Sequence, residues 1–345
     1  MPLGWFRDKK AAARSDVPKA NGPKTATAES PAAGGAPAPW PRFPSRFGGM
    51  WVDLSNAHDI VDGKLELGHA TAEEARQLHA FIDDGFVILP KAVPGPLLDE
   101  LEKDIARARE GGFDTVYVEH WSERGLEMTR STKELWQKQL LLPKMHDLHS
   151  ASDAARRVAF APAIRRFLQL VFERPPLAFQ SLQFTYGTEQ PIHQDTAYVV
   201  VDSPRELAAS WIALEDIAPD SGELEYYVGS HRLDDFLWQG EFKSKPDAVG
   251  PDHPEHLSFL KHLHDASAAR GLKRQQFRPK RGDALIWHAD LAHGGSKIVD
   301  KSLTRKSIVT HYCPSSRSPG YYRHGRNSGK IACGDGCYYT YAIRG

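Results

Sequence analysis

In Pro191-Ile192-His193-Gln194-Asp195 an imidazole and a carboxylate stand two residues apart. On a strand, alternate side chains leave the same face, so both groups could grip one ion. A third ligand has to come from elsewhere. The segment Gly282-Asp283-Ala284-Leu285-Ile286-Trp287-His288-Ala289-Asp290-Leu291-Ala292-His293-Gly294-Gly295 offers His288 and His293 at the end of a later apolar run. Two imidazoles and one carboxylate on one face of an octahedron leave three positions open, the arrangement that non-haem Fe(II) oxygenases use. Those positions suit a bidentate 2-oxo acid and dioxygen. Arg305 follows, on the run Thr304-Arg305-Lys306-Ser307-Ile308-Val309-Thr310-His311-Tyr312. Its guanidinium is always charged and can bind the far carboxylate of 2-oxoglutarate through two parallel hydrogen bonds, which a lysine cannot reproduce. This fourth group separates the pattern from a generic metal site.

Groups so far apart in sequence need a frame that brings them together. Thr71 with Glu73 and Glu74 reads as a helix start, Leu78, Phe81 and Ile82 form its apolar stripe, and Gly85 stops it. Pro94 and Pro96 precede a second helix with Leu97, Leu98, Leu101 and Ile105 at helical spacing, ended by Gly111 and Gly112. Residues 161–172 read as a third. Beyond Pro176 the texture changes to short β-branched and aromatic runs, at residues 179–186, 197–201, 208–214, 224–228, 284–287 and 307–312. Helices first and strands afterwards predict an α+β domain on an antiparallel barrel or jelly roll. Residues 233–271 are too many for a hairpin loop and read as a helical excursion or lid.

The whole chain sets further bounds. Its 345 residues, 41% of them hydrophobic, can bury a substantial core. Forty-four basic residues balance 44 acidic ones, so no overall field gathers nucleic acid or anionic membrane. No run approaches the length needed to span a bilayer, and no secretory signal is evident; a cytoplasmic protein is expected. The three cysteines, Cys313, Cys333 and Cys337, are too few and too clustered for a disulfide framework, and the Cys333/Cys337 spacing lacks the further ligands of a zinc site. Residues 1–45, rich in Ala and Pro, are expected to form a disordered tail, with a transit peptide as the alternative. Residues 46–345 then form a single domain: a mainly helical part at 46–175, a β core at 176–315 with its insert at 233–271, and a C-terminal extension at 316–345.

The sequence resembles the phytanoyl-CoA dioxygenase family of 2-oxoglutarate oxygenases from about Phe81 to Pro314. The resemblance rests on His193-Gln194-Asp195, Trp211-Ile212-Ala213-Leu214-Glu215-Asp216, the Gly222 to His231 stretch with Gly229-Ser230-His231, Gly282-Asp283, His293-Gly294 and Arg305-Lys306-Ser307. It implies a double-stranded β-helix, a cupin-like jelly roll, flanked by N-terminal helices. It implies His193, Asp195 and His293 as Fe(II) ligands, His293 over His288 because the family places its distal ligand directly before Gly. It implies Arg305 as the clamp on 2-oxoglutarate, with Trp211, Lys144 and Ser296 also against the cosubstrate. The turn Gly294-Gly295-Ser296 is one residue longer than the family pattern, which bears on Ser296, and Val228 replaces a usual proline. The implied reaction consumes dioxygen and 2-oxoglutarate, releases succinate and carbon dioxide, and hydroxylates or desaturates a small organic or lipid-like substrate. Related halogenases replace the carboxylate ligand by a small residue, which Asp195 argues against.

Plainer readings stand beside these. His193 and Asp195 could be a surface strand pair, Arg305 an ordinary ion pair, Trp211 core, and Lys144 a solvated or locally paired lysine. Glu119, His120, Trp121 and Tyr198 could face substrate or simply pack. Two other function classes remain: a non-catalytic metal-binding jelly roll, and a cupin-like enzyme that does not use 2-oxoglutarate. For the latter Arg305 would serve no purpose.

Overall fold

The computed structural model describes residues 42–343, apart from residues 124, 139, 321–325 and 328. The expected tail lies outside them up to residue 41. At its expected end the chain is already anchored: Ser45 is buried and its hydroxyl donates to Asp235 across 2.7 Å.

Helices come first, as the apolar spacing requires. They include α1 (Ala57–Glu66), α2 (Ala72–Asp84), α3 (Gly95–Arg109), α4 (Lys133–Trp136), α5 (Leu148–Ala151), α6 (Asp153–Ala159) and α7 (Pro162–Phe172). At the start of α2, Thr71 accepts from the Glu74 amide while the Glu74 carboxylate accepts from the Thr71 amide, so two otherwise orphaned donors are satisfied. Gly85 ends it at φ +82, and a Cβ there would meet the His231 ring at 2.4 Å.

The strands that build the core are β1 (Phe86–Leu89), β2 (Tyr117–Ser122), β3 (Gly125–Arg130), β4 (Leu141–His146), β5 (Pro176–Phe184), β6 (Ala208–Ala213), β7 (Leu224–Tyr227), β8 (Arg274–Phe277), β9 (Ala284–His288), β10 (His293–Gly295) and β11 (Ser307–Pro314). Four two-residue strands follow them, β12 (Arg326–Asn327), β13 (Ile331–Ala332), β14 (Tyr338–Tyr339) and β15 (Ala342–Ile343). One sheet runs β1-β9-β6-β11-β5-β4-β2-β3, and a smaller one runs β10-β7-β8. These two antiparallel layers form the expected double-stranded β-helix. Residues 46–175 are less purely helical than expected, because β2, β3 and β4 lie there and extend the large sheet past β5. The expected strand at 197–201 is instead a short 3-10 turn, Asp195–Ala197, followed by loop, with only Val201 bridging to Pro319.

Alternation within the large sheet divides the core. Ala209, Trp211, Leu285, Trp287 and Val309 point between the sheets with Leu224, Tyr226 and Phe277 opposite them. Their neighbours Ala208, Ile212, Ala284, Ile286 and Ile308 point outward and pack under the helices with Leu98, Leu101, Phe167 and Val158. The insert folds as expected into a helix, α8 (Pro254–Ala269), whose Phe259 and Leu263 cover Trp238 and Ile192 beside the small sheet. No described helix is long and apolar enough to cross a membrane.

Candidate metal centre

His193 and His293 meet as a cross-strand pair. The His193 amide donates to the His293 carbonyl at 2.8 Å and the His293 amide returns the bond at 2.9 Å. Two residues exchanging both bonds stand directly opposite each other, and their rings lie 4.5 Å apart. Gly294 permits this approach, since a Cβ there would reach the Gln190 carbonyl at 2.6 Å. Each Nδ1 lies against a carbonyl, Pro191 at 2.8 Å for His193 and Leu291 at 2.9 Å for His293. A carbonyl only accepts, so both Nδ1 atoms carry the proton and both Nε2 atoms present a lone pair.

Asp195 does not reach these rings by strand alternation. Its carbonyl accepts from the Tyr198 and Val199 amides in the 3-10 turn, and that turn swings the carboxylate back. Its Oδ1 lies 3.7 Å from each Nε2. Ligand atoms each about 2.1 Å from an ion can lie no more than about 4.2 Å apart, so both separations suit a shared metal. His193, Asp195 and His293 are the one such cluster of metal-binding groups among the described residues. The second carboxylate oxygen, Oδ2, accepts from Trp287 Nε1 at 2.7 Å and has His311 Nε2 at 3.4 Å.

The electrostatics favour ligands over ions. Burial, aided by the neighbouring His293, pushes His193 down to about 3, so its imidazole is neutral at physiological pH. Burial works against ionising Asp195, yet the surrounding histidines hold its carboxyl well below the usual range. The centre therefore offers the neutral His193 nitrogen and one carboxylate, with His293 Nε2 facing the same point, and two imidazoles with one carboxylate are a donor set suited to iron.

Arg305 lies just before β11, its amide bonded to the Thr185 carbonyl at 2.8 Å. Its guanidinium is buried in the same pocket, 5.5 Å from the Phe184 ring and 5.7 Å from the Trp211 ring. Its Nε lacks a hydrogen-bond partner, and no ion pair joins it to any described carboxylate. Burial lowers it to about 10, with Glu223 opposing the shift, so it stays charged near neutrality.

Trp211 and Lys144 also line this pocket. The Lys144 ammonium is paired with Glu119 at 3.0 Å, and Glu119 also meets His146 at 3.3 Å; despite burial, these partners lower Glu119 to about 2. Ser296 does not join them. Its hydroxyl donates to Glu223 at 3.1 Å and its amide to the Glu223 carbonyl, while Gly294 and Gly295 face the pocket in its place. The extra glycine carries Ser296 past the pocket. His288 is likewise placed away from the metal ligands: its Nε2 meets Asp53 at 3.2 Å and its Nδ1 accepts from the Asp290 amide.

Behind the centre, Thr196 donates to Asp290 Oδ1 at 2.6 Å and Gln194 donates to the Asp290 carbonyl at 2.7 Å. Asp290 is held by Arg205 at 2.7 Å and Lys243 at 3.0 Å, and Arg205 also binds Asp53. This buried network ties the turn carrying Asp195 to the loop that leads from β9 into His293, to the N-terminal segment and to the insert. Sequence reading missed it, along with Trp287 and His311. The parity of β9 and β11, which sets Trp287 beside Leu285 and His311 in line with Val309, is the signal that could have found the latter two.

The model of the phytanoyl-CoA dioxygenase (PhyH) family matches residues 81–306. No curated protein matches the sequence. Among solved structures, the epimerase SnoN in complex with Fe3+, alpha ketoglutarate and nogalamycin RO is 17% identical with a TM-score of 0.55, over 79% of this chain and 99% of that one. SnoK, a non-heme alpha ketoglutarate dependent carbocyclase from nogalamycin biosynthesis, is 13% identical with a TM-score of 0.51, over 74% of this chain and 88% of that one. These likenesses are of fold.

Proposed function

The chain belongs to the phytanoyl-CoA dioxygenase family, and from that we propose that it is an Fe(II)- and 2-oxoglutarate-dependent oxygenase that hydroxylates a small organic molecule, with desaturation as the related outcome. The observation that carries this reading is Arg305: a buried guanidinium without a carboxylate partner, sharing one pocket with His193, Asp195 and His293. Burying a charge with no carboxylate in contact costs free energy that the more distant Glu223 offsets only in part, and a dianionic cosubstrate would offset the rest.

His193 Nε2, His293 Nε2 and Asp195 Oδ1 would hold the iron. Bound there, iron with 2-oxoglutarate and dioxygen supplies the oxidising power, as the 2-oxo acid is converted to succinate and carbon dioxide. Arg305 binds the distal carboxylate and fixes the cosubstrate's direction. Trp211 and Phe184, whose rings flank the guanidinium, give that end of the pocket an apolar wall. Trp287 donates to Asp195 Oδ2 and orients the carboxylate so that Oδ1 is the oxygen facing the two imidazoles. Tyr198, whose hydroxyl lies 2.6 Å from His256 of α8, joins the insert to the pocket wall. An intact Asp195 favours oxygen transfer over halogenation.

The test is succinate formation by the full chain supplied with Fe(II), dioxygen and 2-oxoglutarate. Slow, substrate-independent succinate release that needs all three and is lost in Arg305→Ala supports the reading. A wild-type protein that binds iron but neither binds nor consumes 2-oxoglutarate would leave a metal-binding jelly roll of another purpose.

A further inference from the structure

The inner face of the large sheet does not stop at the barrel. Phe184 of β5 pairs with Lys144 of β4, Lys144 with Glu119 of β2, and Glu119 with Met128 of β3, so these side chains share the face that lines the pocket. One step further out on that face, Trp121 pairs with Leu126 on one side and Leu141 on the other. A bulge against β4 falls between Glu119 and Trp121, but the pairing of β2 with β3 continues unbroken through it. Trp121 is 40% exposed, Leu126 54%, Met128 37% and Leu141 48%. On the opposite face of the same strands, Val118 and Met145 are fully buried. The apolar side chains left in water therefore all lie on the pocket side, directly beyond Glu119, Lys144 and His146.

Size points the same way. The pocket holds about 230 Å3, below the roughly 300–1,000 Å3 that drug-sized ligands fill, and a metal with its cosubstrate would have to share it. The bulk of any larger substrate must lie outside. Three strands about 4.8 Å apart, rising about 3.3 Å per residue, give this shelf a span of roughly 10 Å each way. That suits one small molecule and falls well short of the about 800 Å2 per partner of a standard protein interface.

We propose that Trp121, Leu126, Met128 and Leu141 form a substrate subsite for the apolar body, a fused-ring system or acyl chain, of an amphipathic small molecule. Its polar group meets Glu119, Lys144 and His146, and its reacting end reaches into the pocket. This rests on the oxygenase reading for the word substrate, but the subsite itself can be tested without turnover.

The probe is 1-anilinonaphthalene-8-sulfonate, a fused-ring amphiphile, titrated by fluorescence into the full chain. The double variant Trp121→Ser with Leu126→Ser should weaken binding by about ten-fold or more, since both residues contribute apolar contact area. The control Leu67→Ser with Val299→Ser removes two exposed apolar side chains outside the pocket lining, 73% and 65% exposed, and should leave binding unchanged. Thermal melting checks that the variants fold; all four positions are exposed. In the anaerobic Fe(II)–2-oxoglutarate protein, saturating probe should also perturb the visible charge-transfer band, and should fail to do so in the shelf variant. Equal probe binding by wild type and shelf variant overturns the proposal. So does a wild-type dimer that dissociates on the shelf substitution, because a second copy is then the occupant. Absence of any charge-transfer band in the wild type counts against the oxygenase reading alone.

Discussion

Replacing Trp287 by phenylalanine should weaken metal binding although no ligand is touched. The indole Nε1 donates to Asp195 Oδ2 at 2.7 Å in a buried setting, while Oδ1 faces both imidazoles at 3.7 Å. Phenylalanine keeps most of the packing and removes the donor. A hydrogen bond to a charged group contributes about 1.5–3 kcal/mol, which corresponds to roughly 10- to 150-fold in a binding constant. Outer partners of metal ligands lose about 10–100-fold when mutated, in agreement. Trp211→Phe is the control: it makes the same change of ring in the same core cluster, at a residue with no bond to Asp195. Both variants should melt somewhat below the wild type. Only Trp287→Phe should show weaker Fe(II) binding in an anaerobic titration, with Co(II) absorption as a second readout of the coordination. Equal metal affinity in Trp287→Phe and wild type would refute the role given to the indole.

Arg305→Ala should raise the dissociation constant for 2-oxoglutarate by the equivalent of about 2–5 kcal/mol, the cost of truncating one partner of a buried charge pair, with Arg305→Lys recovering only part; calorimetry on the anaerobic iron protein measures this. His288→Ala should leave Fe(II) affinity unchanged and lower the melting temperature, because His288 supports Asp53 rather than the metal; loss of iron binding comparable to that of His293→Ala would reverse the assignment. Burial opposes ionisation of Asp53 and Asp290, but His288 and Arg205 hold Asp53, and Lys243 and Arg205 hold Asp290, below the usual carboxylate range. A depressed folded pKa gives stability that is fully present above about 3.9 and is lost as pH falls toward the folded value. Asp290→Asn should therefore cost about 3–5 kcal/mol at pH 7 and show a shallower loss of stability on acidification, read by denaturant unfolding at several pH values.

The parts legible in the sequence were those with local chemistry. The capping box at Thr71 and Glu74, the stop at Gly85 and the apolar spacing of α3 and α7 each announce themselves within a few residues. The ligand residues were legible because His-x-Asp, a later His-Gly and a following Arg are a recognisable order, yet the reason given for the first pair was wrong: Asp195 meets His193 through a turn, not along a strand. The strands β2 and β4 were hidden by their own role. Glu119, Lys144 and His146 face a pocket rather than a core, so the alternation that marks a half-buried strand is broken by charge. The strands β6, β9 and β11 are covered on both faces, which erases alternation and leaves inward Trp287 looking like any buried tryptophan. The network of Asp53, Arg205, Asp235, Lys243 and Asp290 joins segments far apart in the chain, and nothing local marks its members as partners.

The most direct measurement is an anaerobic titration of Fe(II) and then 2-oxoglutarate into the metal-free full chain, watching the visible metal-to-ligand charge-transfer band, with Asp195→Ala and Arg305→Ala alongside. A band should form in the wild type only when both are present, be lost or strongly reduced in Asp195→Ala, and require far more 2-oxoglutarate in Arg305→Ala. Iron shown to be bound in the wild type with no band at saturating 2-oxoglutarate would contradict the assignment of this pocket to the cosubstrate.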